Sequence, residues 1–201
     1  MIVYVESNFI LELVLAQEES NSADQILCLA EQNRINLVFP SFSIMEPFWT
    51  IQGRGKQRKS IQQSLNRELE QLQRSVYNQE FVSVFQPLTK TIIDVEVKEM
   101  DMLEKTLSRL LKVGVTIDIT SAIFDDSIHY QEELGLSPQD AIIYASIIAD
   151  INRQSYGIEK VFVSRNWKDF DQEEIVEKLQ SNQCKYLPNF RNAIDYIQSR
   201  L

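Results

Sequence analysis

Three runs in this chain are apolar from end to end and too short to be helices: Ile2-Val3-Tyr4-Val5, Leu37-Val38-Phe39 and Val161-Phe162-Val163. Rich in β-branched and aromatic residues, they suit strands covered on both faces, as in a parallel sheet held between helices. That pattern places the chain in the α/β class. Each run ends on a polar step: Glu6-Ser7-Asn8, Pro40-Ser41 and Ser164-Arg165-Asn166. Open α/β sheets bind their ligands just outside the carboxyl ends of the strands. Residues directly past these runs are therefore the first candidates for function.

The segments between the strands read as helices. Phe9 to Ala16 is expected to be helical with Ser7 or Asn8 as its N-cap, followed by a second helix from about Ser22. Ser41 is expected to cap a helix carrying Ile44, Phe48 and Ile51 on one face. From Arg54 to Val113 the pattern changes to two amphipathic stripes, one through Ile61, Leu65, Leu69, Leu72 and Val76, the other through Ile93, Val97, Met100, Leu107 and Leu111. These predict a helical hairpin joined near Phe81 to Leu88. Phe81-Val82-Ser83-Val84-Phe85 itself fits either a strand or a packed loop. Val115 to Ile119 is a candidate strand, with a helix from Ser121 to Glu133 closed at Gly135. Ser137-Pro138-Gln139-Asp140 then carries the signals of a helix start, and the body from Ala141 to Ala149 is apolar nearly all round, as in a buried helix. A helix near Gln172 to Leu179, a strand at Lys185 to Leu187 and a terminal helix from Asn189 to Ser199 complete the order.

Composition removes several kinds of function. With 201 residues and 44% hydrophobic content the chain can bury a sizeable core as one domain carrying an insertion. No apolar run is long enough to span a membrane and no leader pattern is present, so a cytoplasmic protein without a membrane partner is expected. Cys28 and Cys184 lack metal-ligand spacing and read as reduced thiols. A net charge of -9 argues against a protein that coats nucleic acid, but not against a carboxylate-based metal nuclease. His129 is the single histidine, and no glycine-rich phosphate loop occurs among five glycines.

Acid and amide side chains recur past the strand ends or in first helical turns. Glu6 follows the first strand, Glu46 lies on the helix after the second, Asp140 opens the buried helix, and Asn166 and Asp169 follow the strand at Val161. Parallel strands end on one side of a sheet, so these groups can converge although they are far apart in sequence. Clustered carboxylates without histidine suit a hard cation such as Mg2+ or Mn2+. Each also has a structural reading: Asp140 as a capping-box acid, Glu46 as a helix-dipole acid, Asn166 and Asp169 as turn residues. His129 reads as a surface residue, and Trp49 and Trp167 as packing or rim residues.

Taken together, the motifs resemble the PIN domain family of metal-dependent ribonucleases. Glu6 and Asn8 match its first acid and the asparagine two residues on; Glu46 within PSFSIMEPFW matches the second acid; Asp140-Ala141 in LSPQDAIIYA the third; and Ser164, Asn166, Asp169 and Phe170 in VFVSRNWKDF the fourth. The resemblance implies a three-layer α/β fold with a central, mostly parallel sheet, here with a helical hairpin inserted at about 54–113. It implies hydrolysis of phosphodiester bonds, most plausibly in single-stranded RNA, with Glu6, Glu46, Asp140 and Asp169 as catalytic acids. Glu6, Asp140, Asn166 and Asp169 would hold Mg2+ or Mn2+, supported by Asn8 and Ser164. An antitoxin protein and a homodimer are partners known for such domains, and some members are silent modules that bind RNA or protein. Two features depart from the usual pattern: the first acid is glutamate, and Asn166 is neutral where aspartate is common. Arg54, Lys56, Arg58 and Lys59 form one run of unopposed positive charge, which reads either as a solvated helix start or, with Arg165, as phosphate contacts.

Overall fold

The computed structural model describes residues 1–201, the side chain of Lys90 excepted. Five strands form one sheet: β1 (Ile2–Val5), β2 (Asn36–Pro40), β3 (Val115–Ile117), β4 (Lys160–Val163) and β5 (Cys184–Leu187). Their order is β3-β2-β1-β4-β5 and every pairing is parallel, so the sheet is wholly parallel. Val3 sits between Leu37 and Val161, which places the first strand at the centre. From β1 the chain first builds outward through β2 and β3, then returns to add β4 and β5 on the other side. The switch in direction therefore lies between β1 and β4, and a crevice at their carboxyl ends follows from it.

Burial explains why the strands read as continuous apolar runs. Ile2, Tyr4 and Phe162 pack into a cluster with Tyr144, Ile147 and Ile151 of α6 (Pro138–Arg153), which runs beside α5 (Ser121–Leu134). The alternate residues Val3, Val5, Val161 and Val163 are equally buried and by the pleat face the other layer. That layer consists of α1 (Ser7–Leu15), α2 (Ser20–Glu31) and the last helix, α9 (Phe190–Gln198), joined by an edge-on contact of Phe9 and Phe190 at 5.5 Å. The α/β class and the three layers expected from the sequence are thus present.

Local starts differ from expectation in instructive ways. Helix α1 begins at Ser7, and its N-cap is Glu6, whose carboxylate accepts from the Asn8 N–H. Ser41 caps no helix; it is the first residue of a 3-10 turn, Ser41–Ile44, that leads into α3 (Met45–Leu72). The hairpin turns at a short 3-10 segment, Val76–Asn78, rather than near Phe81 to Leu88, and α4 (Gln79–Val113) runs straight through that stretch. Its alternating F-V-S-V-F pattern is overruled by helical pairing: the Phe81 and Phe85 rings stack at 4.4 Å, one turn apart, while Val82 is buried.

The chain divides into two compact units, one comprising Met1–Glu46 and Lys105–Leu201, the other Pro47–Glu104. Within the second, α3 and α4 approach closely at Gly55, where an added Cβ would lie 2.2 Å from the Glu96 carboxyl. Among the described residues no helix is long and apolar enough to cross a membrane.

Candidate functional site

The carboxyl edge of the sheet gathers the residues singled out by sequence, and Glu6 is its centre. Glu6 leaves β1 and is only 2% exposed. Its Oε2 accepts from the Asn8 N–H at 2.8 Å and from Ser7 Oγ at 2.9 Å, and its Oε1 accepts from Ser164 Oγ at 3.0 Å. The Ser164 bond crosses from the end of β4 to the end of β1, directly over the topological switch. Burial nevertheless outweighs the three donors and, with a smaller push from Glu46, raises the Glu6 carboxyl to about 7.

Glu46 reaches the same point from the other side. Ser7 Oγ lies 2.5 Å from Glu46 Oε2 as well as against Glu6. A hydroxyl has one proton to donate, so two carboxylates around it need a second proton between them. The raised Glu6 supplies a place for it.

The opposite half of the site is built by α6 and the loop after β4. Ser137 caps α6, accepting from the Asp140 N–H at 3.2 Å while its own hydroxyl donates to Asp140 Oδ2 at 2.5 Å. Asp140 Oδ1 accepts from Asn166 Nδ2 at 2.9 Å. Burial, and then the charge of Asp169, raises the Asp140 carboxyl above its ordinary range despite these two donors. Asp169 is positioned by α7 (Trp167–Phe170), a single helical turn where the sequence offered only turn residues as the structural reading. Its anchor is Phe170, fully buried and edge-on to Phe162 at 5.2 Å.

Ser164 and Asn166 join the halves. The Asn166 N–H donates to Ser164 Oγ at 3.0 Å, and that hydroxyl donates to Glu6. One hydrogen-bonded chain thus runs Glu46, Ser7, Glu6, Ser164, Asn166, Asp140, Ser137. Tyr186 steadies the middle by donating to the Ser164 carbonyl at 3.2 Å. Asn8 contributes its backbone N–H, not its side chain.

Sequence reasoning missed Glu12. It is 1% exposed on α1, its Oε1 accepts from the Glu19 N–H at 2.5 Å, and its Oε2 pairs with Arg165. Arg165 also reaches Glu18 at 3.3 Å. The guanidinium therefore ties the Ser164–Asn166 loop to α1, where a free phosphate contact was expected. A signal existed: a lone charge in Phe9-Ile10-Leu11-Glu12-Leu13-Val14, three residues after a core phenylalanine. The basic run is likewise not unopposed. Arg58 makes a two-pronged pair with Glu99 and Lys59 lies 3.3 Å from Glu96, whereas Arg54 and Lys56 have no ion pair among the described residues.

A wholly parallel sheet with acids along its carboxyl edge at the switch point defines an open α/β protein. The PIN domain model matches residues 3–170, and the chain belongs to the PIN domain family. PIN domains are in general nuclease domains acting on nucleic acids, and their nucleases generally use divalent metal ions. No curated protein matches the chain.

By donor type, Asp140, Asp169 and the Asn166 carboxamide fit such an ion, since all are hard oxygen ligands. Glu6 fits less directly, because both of its oxygens are already engaged and it must release a hydrogen bond to coordinate. Among the described residues no three His, Cys, Asp or Glu side chains are grouped closely enough to hold one ion. Glu46, Glu6 and Asp140 are strung on one chain instead of gathered about one point, and Asp169 stands beside it.

Proposed function

We propose that this protein is a divalent-metal-dependent endoribonuclease acting on single-stranded RNA. The observation that supports it best is the hydrogen-bonded chain from Glu46 to Ser137, which links all four PIN motifs across the β1–β4 switch. Asp140 and Asp169, with Asn166 and then Glu6, would hold Mg2+ or Mn2+. When bound, that ion supplies charge neutralisation at phosphorus and acidifies a water. The chain's own residues do the rest. Asn166 orients Asp140 through its carboxamide, and Ser164 keeps Glu6 aimed at the same edge. Glu6, titrating near 7, takes up or releases a proton at Oε2, with Ser7 as the conduit to Glu46. Glu46, less buried, orients the attacking water or a second ion.

The test is cleavage of a mixed single-stranded RNA with Mn2+, alongside Asp140→Asn. Because Asp140 is only partly buried, the variant keeps the fold and its Ser137 cap. Loss of metal-dependent cleavage by at least a hundredfold, with an unchanged circular dichroism spectrum, is the expected result. A fully active variant would sink the assignment.

The closed environment of Glu6 and the absence of a three-acid group among the described residues favour a second reading, a silent PIN module that binds RNA or protein. Calorimetric titration with Mn2+ separates the two. The nuclease binds the ion in a manner lost in Asp140→Asn, and the silent module shows no such difference.

A further inference from the structure

Trp167 stands inside the fourth PIN motif yet takes no part in the hydrogen-bonded chain that runs through it. It opens α7, one residue after Asn166 and two before Asp169, and is 57% exposed. Core packing does not account for it. Phe170 fills that role in the same turn, fully buried and edge-on to Phe162. A tryptophan left in water forgoes one of the largest apolar burials a side chain can make. Among the described residues its indole N–H donates to nothing, and its ring meets one charged group, the Lys168 ammonium, 6.0 Å from the centroid. Lys168 is itself exposed and has no ion pair among the described residues, although Asp169 and Asp171 are close in sequence.

We infer that the Trp167 ring is a stacking platform for one unpaired nucleobase, with Lys168 against an adjoining phosphate. The platform rests on the nuclease reading for its substrate, and places that base next to the phosphodiester handled at the acidic edge. Position is the first support. Consecutive Cα atoms are about 3.8 Å apart, so the ring departs within two residues of both Asn166 and Asp169. Chemistry is the second. An exposed aromatic face with a cation beside it is the pairing from which single-strand grooves are built. Charge is the third. The chain carries a net -9, and Arg58, Lys59 and Arg165 are already engaged by Glu99, Glu96 and Glu12. Little attraction for phosphate is left over, so a polyanion has to be held by a contact that does not depend on charge. Stacking is such a contact. It also selects for single strands, because bases inside a duplex already stack on one another and offer no free face.

The experiment is a fluorescence titration of the full chain carrying Trp49→Phe, which leaves Trp167 as its one tryptophan. The titrant is a mixed-sequence RNA of about ten unpaired nucleotides, within the span of a small single-strand site. Ca2+ is present throughout to neutralise the acidic edge. Saturable quenching by the single strand is expected, with an abasic strand of equal length and a duplex each needing about tenfold higher concentration. By anisotropy of labelled RNA, Trp167→Ala should bind about tenfold more weakly, with Trp167→Phe recovering most of the loss. Lys168→Gln should instead lower the slope of log K against log salt by about 0.7, which Trp167→Ala leaves unchanged. Both side chains are exposed, so the far-ultraviolet spectrum should stay as in the wild type. Emission indifferent to the single strand overturns the inference and leaves the ring to a protein partner. Equal quenching by the abasic strand, or a Trp167→Ala variant that binds as tightly as the wild type, overturns it too. Failure of the platform and failure of the nuclease reading are separable. If Asp140→Asn abolishes cleavage while Trp167→Ala binds RNA unchanged, the platform alone falls. If the wild type never cleaves but Trp167 still reports the single strand, the nuclease reading alone falls.

Discussion

The two compact units use apolar residues in opposite ways. In the unit formed by Met1–Glu46 and Lys105–Leu201, the central strands β1 and β4 are buried on both faces and the polar groups are drawn to one edge. In Pro47–Glu104, Val76, Tyr77, Phe81, Val84 and Val97 stay in solvent, and α3 and α4 are tied by Arg58–Glu99 and Lys59–Glu96. A sheet can complete its own core because helices close both faces. A two-helix hairpin has too few faces to do so, and leaves apolar side chains in solvent. The first unit thus owns a closed sheet core, although Val115, Phe124, Ile128 and Trp167 stay exposed on it; the second has no such core.

The sharpest way to break this contrast is to truncate one residue in each unit. Phe162→Ala should cost about 3–5 kcal/mol in urea denaturation, because Phe162 packs against both Phe170 and Tyr186. Val84→Ala, at a side chain 62% exposed, should stay within about 0.5 kcal/mol. Comparable losses would mean that Val84 is covered after all.

A middle-sized effect tests the polar edge. Glu6 has its carboxyl raised from 4.5 to about 7 in the folded protein. Between these values the folded state keeps a proton that the unfolded state has lost, so stability falls as pH rises. The wild type should therefore be most stable below about pH 4.5 in this respect and lose on the order of 2–3 kcal/mol by pH 8. Glu6→Gln should flatten that segment of the pH–stability curve. A wild-type curve without a downward slope across this window would remove the raised acid from the account.

The smallest effect concerns Glu12. Breaking a fully buried ion pair costs about 3–5 kcal/mol, but the Arg165 side chain is 35% exposed, so Glu12→Gln should cost nearer 1–2 kcal/mol. It should also speed hydrogen exchange at the Asn166 amide. Unaltered exchange would mean that Tyr186 and Ser164 hold the loop without the Arg165 tether.

Much of this molecule was legible from its residues. Short apolar runs marked three of the five strands closely, because strands buried on both faces leave no other pattern. Ser137-Pro138-Gln139-Asp140 announced α6 through capping chemistry, which is local. The PIN motifs were legible for the same reason, since each is a strand or helix end with its acid attached. Phe81 to Phe85 could not be placed, because alternation imitates a strand and only the Phe81–Phe85 stacking and burial of Val82 decide for helix. Arg58, Lys59 and Arg165 looked free because ion pairing joins residues that lie tens of positions or more apart in sequence.

Glu6 shows where the two kinds of information part. Its place after the first strand, its carboxylate and the layered parallel fold around it were determined by sequence, through hydrophobic pattern and strand propensity. Only tertiary structure decided its state. Closure of the β1–β4 switch buries it, Ser164 arrives from 158 residues away, and Glu46 adds a second negative charge. A buried carboxylate's energy depends on what surrounds it in three dimensions, and no local stretch of sequence carries that.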